Sequence, residues 1–142
     1  MKYIWHSMHM QWNPEQKAVF STHLQSTNTT GLTINAIHAE YLMQHSNSLI
    51  GRQFKQLAQT GVFHLADLVP LPLFSLWKAV GALFSLLWMP EIDDMDTYLV
   101  WLHRDQWLCN KLLTLPMIQR WMSISVLTTY SIFLEKWMHL AC

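Results

Sequence analysis

Histidines, cysteines and acids are the residues of this 142-residue sequence that could bind a metal or move a proton: eight, two and nine of them. His6-Ser7-Met8-His9 sets two imidazoles at i and i+3, and His139 with Cys142 makes a second pair. Imidazole and thiolate suit zinc or copper, but a closed site wants four donors in a defined spacing. The two pairs lie at opposite ends of the chain with nothing linking them, and eight scattered histidines produce such spacings by chance. Glu91-Ile92-Asp93-Asp94-Met95-Asp96 could offer hard carboxylate oxygens to magnesium, with Asp93 and Asp96 sharing a helix face. Acids in a first helical turn also favour the positive end of the helix dipole and keep that face in water, which is the reading adopted.

Nucleophilic and phosphate chemistry have less footing. Cys109 falls on the apolar stripe of a helix, where a cysteine is a small buried hydrophobe. No serine sits in a Gly-x-Ser-x-Gly elbow. Gly31, Gly51, Gly61 and Gly81 are isolated, so there is no phosphate loop. Arg52 and Lys55 are one turn apart and could touch a phosphate, but two charges at that spacing are ordinarily a solvated helix face. Accordingly no catalytic, cofactor-binding or metal-ligating residue is assigned, no cofactor is implied, and the chain is expected not to be an enzyme. The eight tryptophans are expected as core, anchor or interface residues.

The elements that carry these residues are built from an unusual composition. Hydrophobic residues make up 51% of the chain and charged ones 13%, about half of the roughly 25% usual in a soluble domain. Such a chain is too apolar for disorder, and two cysteines exclude a disulfide scaffold. Net charge is zero, which argues against nucleic-acid binding by the chain alone. The charges are also unevenly placed. Residues 61–90 hold two, Asp67 and Lys78, whereas residues 91–111 hold seven. The start of the chain has no continuous apolar stretch of the signal-peptide kind, so an intracellular and not a secreted protein is expected, also on cysteine usage.

Asn13-Pro14-Glu15-Gln16 predicts a helix start with a capping box, running to about Gln25. A second helix from Thr33 would place Ile34, Ile37, His38, Tyr41 and Leu42 on one face. Ser48 would cap a third, with a stripe of Ile50, Phe54, Leu57, Ala58, Gly61, Leu65 and Leu68 that Pro70 and Pro72 stop. A fourth, about 72–88, is apolar almost all round and ends at Pro90. A fifth begins at the acids 91–94, turns Ile92, Met95, Leu99, Leu102, Cys109 and Leu112 inward, and closes at Pro116. From Met117 a helix is expected, with two short strands around Ile124–Ile132 as the alternative. The expectation is an all-α protein of five or six helices packed round a central apolar helix at about 72–88. Residues 1–116 would form one helical unit, and 117–142 an apolar C-terminal segment.

The run Leu71–Met89 is 19 residues with one charge, Lys78. A spanning helix needs about 20 apolar residues, and a central lysine costs about 2.5–3.5 kcal/mol. With Ser75, Lys78 and Ser85 spaced along it, the run reads as a core helix, and a membrane anchor over 71–89 stands as the alternative. Trp121–Leu134, 14 residues without charge, is short for a span.

Across residues 41–102 the chain resembles a known family. The blocks are His45-Ser46-Asn47-Ser48-Leu49-Ile50-Gly51-Arg52-Gln53-Phe54-Lys55-Gln56-Leu57-Ala58-Gln59, then Phe63 with Asp67-Leu68-Val69-Pro70. Trp77, Gly81-Ala82-Leu83, Leu86-Leu87-Trp88-Met89-Pro90-Glu91-Ile92-Asp93 and Tyr98-Leu99 follow. Their order and spacing resemble a helical segment of large fungal (basidiomycete-type) transposon-derived proteins, related to transposases of the CACTA and Plavaka type. Two departures stand out: Gln53 sits where the family pattern has an acid, and after about Trp107 the chain stops following it. The resemblance implies a truncated, frame-shifted or differently spliced copy, and no stretch matches the nuclease-like domain that would hold catalytic carboxylates. It implies a non-catalytic helical fragment or relic with an interaction or scaffold role at most. Apolar faces meant for missing neighbours would then drive binding to a protein partner or self-association.

Overall fold

The computed structural model describes residues 1–121, and all regular secondary structure among them is helical. The helices are α1 (Lys2–Gln11), α2 (Pro14–Gln25), α3 (Ala39–Gln44), α4 (Gly51–Thr60), α5 (Leu71–Leu87), α6 (Met95–Leu113) and α7 (Pro116–Trp121). A 3-10 turn over Gly61–His64 follows α4 directly. The all-α class is therefore correct, but seven α-helices among the described residues replace the expected five or six. The strands weighed for residues 124–132 lie outside the described residues, as do His139 and Cys142.

α1 is the addition. Ile4, Trp5, Met8 and Trp12 recur at helical spacing and are all buried. α2 starts as expected: the Gln16 amide donates to Asn13 Oδ1 at 2.8 Å, and Gln16 Oε1 accepts from the Asn13 amide at 3.0 Å. Both halves of a capping box are thus present.

The second expected helix is shortened to Ala39–Gln44. Residues 26–38 run as an irregular segment through Gly31, whose φ of 84° lies in the left-handed region that glycine tolerates. Glutamine side chains hold its polar backbone. Gln56 Nε2 donates to the carbonyls of Asn35 (3.0 Å) and Ala36 (3.3 Å), and Gln25 Oε1 accepts from the Ala39 amide (3.0 Å). Those carbonyls are thereby met without a helix.

The third helix is also revised. Ser48 does not cap it, since its Oγ donates back to the His45 carbonyl. α4 begins at Gly51, and Gln53 Oε1 accepts from the Ile50 amide at 2.7 Å. Because isoleucine has no side-chain acceptor, this is one half of a capping box. The expected continuous stripe to Leu68 breaks at Gly61, where α4 tightens into the 3-10 turn beneath the Trp77 ring. A Cβ on Gly61 would lie 3.4 Å from that indole.

α5 matches the expected apolar helix to within a residue at each end and carries Pro72 in its first turn. It packs on α4, the 3-10 turn, α6 and α7. Leu73, Leu76, Trp77, Val80 and Leu83 are buried, whereas Leu71, Lys78, Ala82 and Ser85 are exposed. Its 17 residues are about 26 Å long at 1.5 Å per residue, short of the roughly 30 Å hydrocarbon core of a bilayer. No helix among the described residues is long and apolar enough to cross a membrane.

α7 runs across the 116/117 boundary and places Ile118 in the core. Four aromatic rings, Trp5, Trp12, Phe20 and Trp77, cluster within a core otherwise richest in leucine. Trp5 lies 5.8 Å from Phe20 and 6.5 Å from Trp77 between ring centroids, and meets Trp12 edge-on at 6.1 Å.

Candidate functional site

α6 starts where Asp94 caps it, accepting from the amides of Asp96 (3.1 Å) and Thr97 (3.2 Å) and from Thr97 Oγ1 (2.6 Å). These bonds hold the Asp94 carboxyl below its ordinary range, the Thr97 hydroxyl contributing most. Glu91 and Asp93 precede the helix, so Asp93 and Asp96 do not share a helix face as expected. All of these acids are exposed.

The inward side of α6 holds Leu102, Asp105, Cys109 and Leu113. Ile92 and Met95, expected inside, are exposed. Cys109 is fully buried, and burial first, then the Asp105 carboxylate, pushes its thiol up to about 12. A thiol so far from ionising is a packing group, not a nucleophile. Asp105 was not anticipated. It is only 6% exposed, and Arg104 reaches back to it with Nε and Nη2 both 2.9 Å from Oδ1.

The outward side of α6 is what sets this helix apart. Val100, Trp101, Trp107 and Leu108 are all exposed, Trp101 at 44% and Trp107 at 60%, and Leu115 continues the line just beyond the helix. At 100° per residue these positions, with Arg104 and Lys111 among them, fall within about 120° of the helix circumference. Lys111 lays its ammonium 4.8 Å from the Trp107 ring centroid, a cation–π contact that fixes the indole on the surface. Two half-exposed tryptophans flanking Arg104 and Lys111 on one helix face are unusual on a monomer, and an exposed apolar surface of this kind marks an interaction site.

The remaining expected donors are not gathered into a site. His6 and His9 share α1, but His9 is buried against the Trp5 ring. Burial, with Lys17 nearby, holds the His9 imidazole below its usual range. No group of three or more His, Cys, Asp or Glu among the described residues could hold a metal. Arg52 and Lys55 do not converge either: Lys55 sits 5.6 Å from the Trp88 ring centroid. Arg52 lines an open polar cleft of about 860 Å³ together with Gln25, His38, Glu40 and Gln56. A second unanticipated pair is His64 with Thr27, whose Oγ1 and Nε2 share a 2.6 Å hydrogen bond. Burial and the neighbouring His23 lower the pKa of His64. Its signal in the sequence was slight, since 37 residues separate the partners.

Several residues between positions 53 and 98 lie at contacts of α4, α5 and α6. Gly81 meets the Ala58 carbonyl, Lys55 meets Trp88, and Tyr98 Oη donates to the Leu86 carbonyl at 3.4 Å. Gln53, the departure from the acidic pattern, caps α4 as a glutamate would. In comparisons with known proteins, no family model, no curated protein and no solved structure matches the chain.

Proposed function

We propose that this chain is a non-catalytic helical unit whose role is to bind another polypeptide through the outer face of α6. We propose further that it is a fragment or relic of the transposon-derived proteins that residues 41–102 resemble. The observation that carries the interaction role is the row Val100, Trp101, Trp107 and Leu108, exposed along one side of a 19-residue helix whose other side is in the core. A helix that is apolar on both sides has been shaped for two neighbours, and the rest of the chain supplies one. α5, packed on four other elements, serves in this reading as the central helix on which α6 is mounted. The origin is supported by the nature of the blocks. They hold packing and capping residues, which a piece of a larger helical assembly keeps when it has no chemistry of its own.

The test is photocrosslinking of the full chain in the expressing cell, with Trp107 replaced by a photoreactive phenylalanine analogue. A polypeptide adduct is expected from position 107 and none from the same analogue at exposed Ala82 on α5. Absence of any adduct at 107 overturns the interaction role.

A further inference from the structure

We infer that the occupant of the α6 face is a second copy of this chain, laid antiparallel to the first across a two-fold axis between His103 and Arg104. The inference rests on the proposed interaction role and names its partner.

The order of charges along the helix argues for it. Glu91, Asp93, Asp94 and Asp96 cluster at the amino end of α6, while Lys111 lies at the carboxyl end and Arg120 on α7 beyond it. Two parallel copies would set acid on acid and base on base. Two antiparallel copies set each acidic end against a basic one, and oppose the two helix dipoles as well.

The side-chain positions fit the same symmetry. Asp96, Val100, Trp107 and Lys111 fall within about 60° of one another on one flank of the stripe. An axis between His103 and Arg104 is equidistant from Asp96 and Lys111, and equidistant from Val100 and Trp107. Each carboxylate therefore opposes the ammonium of the other copy, and each valine opposes an indole. A self-complementary patch of this kind is what an isologous interface requires. Arg104 falls at the axis, where like charges would meet, and there Asp105 Oδ1 already holds its guanidinium at 2.9 Å. An axis moved to Trp107–Leu108 would instead bring Arg104 opposite Lys111.

The area is of the right order. Taking about 250 Å² for a whole tryptophan, the exposed parts of Trp101 (44%) and Trp107 (60%) offer on the order of 250 Å². A standard interface buries roughly 800 Å² on each partner, and Val100, Leu108, Leu115 and the stems of Arg104 and Lys111 extend the patch toward it.

Sedimentation equilibrium of the purified full chain tests this. A monomer–dimer equilibrium is expected. Lys111→Glu alone and Asp96→Lys alone should each weaken dimerisation at least tenfold at low salt, and the double variant should recover to within about threefold of the parent. Rescue by the double exchange is specific to an antiparallel pair in which these two residues face each other. Both side chains are exposed, so the helix survives the changes, and circular dichroism of each variant verifies that. Three outcomes overturn the inference: a monomer at every concentration, a dimer indifferent to both single exchanges, or a dimer that the double exchange leaves weak. If the chain is a monomer whose position 107 still crosslinks to other polypeptides, the second-copy inference falls and the interaction role stands. If position 107 crosslinks to nothing, both fall.

Discussion

The carbonyl oxygen of Ala58 lies 3.2 Å from the point that a Cβ on Gly81 would occupy, so α4 and α5 meet there backbone against side-chain-free backbone. The obstructing atom belongs to a helix and cannot swing aside. Gly81→Val should therefore destabilise the fold by on the order of 2 kcal/mol through overpacking, despite removing a glycine from a helix interior. Gly51→Ala is the control, since nothing lies within 4 Å of its Cβ position. It should be neutral or stabilise by up to about 1 kcal/mol. Urea denaturation midpoints of the two variants and the parent check both signs.

Asp105 and Arg104 make a second asymmetric case. The carboxylate is buried and depends on a guanidinium that is 68% exposed. Arg104→Ala should cost about 1–3 kcal/mol, because it leaves a buried acceptor unpaired. Asp105→Leu removes the need for a partner and should stay within about 1 kcal/mol of the parent. Denaturation at the lowest workable protein concentration separates this from any effect on self-association. A larger loss for Asp105→Leu than for Arg104→Ala would contradict the account.

Stability should fall as the solution is acidified below pH 6.5. His9 and His64 both have folded-state pKa values lowered from 6.5, burial being the main cause in each. The unfolded chain then binds more protons than the folded one in the window just below 6.5, so both imidazoles make stability rise with pH up to that value, and the buried Met1 amino group, lowered from 8.0 to about 5, carries the rise on to about pH 8. Asp94 acts in the same direction but lower down. Its depressed carboxyl stabilises the fold above 3.8, and that contribution is lost as pH falls through its folded value. His64→Gln, which can keep a hydrogen bond to Thr27, should flatten the slope between pH 5 and 6.5 and leave the slope above 6.5 as in the parent. Urea midpoints across that range read the difference.

The Cys109 thiol should be silent in the native protein. With its pKa pushed to about 12 and no exposed surface, it should react with a thiol reagent at pH 8 only when the chain opens. In a Cys142→Ser background, native labelling should be at least about a hundredfold slower than labelling in urea. Comparable rates in the two conditions would show that the α6 interior is not closed.

Local grammar was legible where both partners of a bond lie within one turn. Asn13 and Gln16 announce the start of α2, and Asp94 stands where the acids predict a helix amino end. The apolar length of α5 was legible as well, because it needs no knowledge of what surrounds it. What the pattern missed depends on residues distant in the chain. The segment around Asn35 and Ala36 carries helical periodicity, but Gln56, some twenty residues away, takes its carbonyls and leaves it irregular. The inward side of α6 was legible from Leu102 and Cys109, which are buried as the periodicity predicts. Only the start of the stripe fails, because Ile92 precedes the helix and Met95 is its first residue, and Asp105 joins the inner side through its bond to Arg104, which periodicity does not register.

Among the described tryptophans, two pairs stand at opposite ends of exposure. Trp5 and Trp77 are enclosed with no exposed surface, while Trp101 and Trp107 are about half exposed on the outer face of α6. Enclosed indoles emit to the blue and are shielded from a dissolved quencher; hydrated ones emit to the red and are quenched on contact. Melting of the core would therefore move the first group redward, and covering of α6 would move the second group blueward. One unlabelled sample, read at two emission wavelengths, reports folding and assembly as opposite spectral shifts.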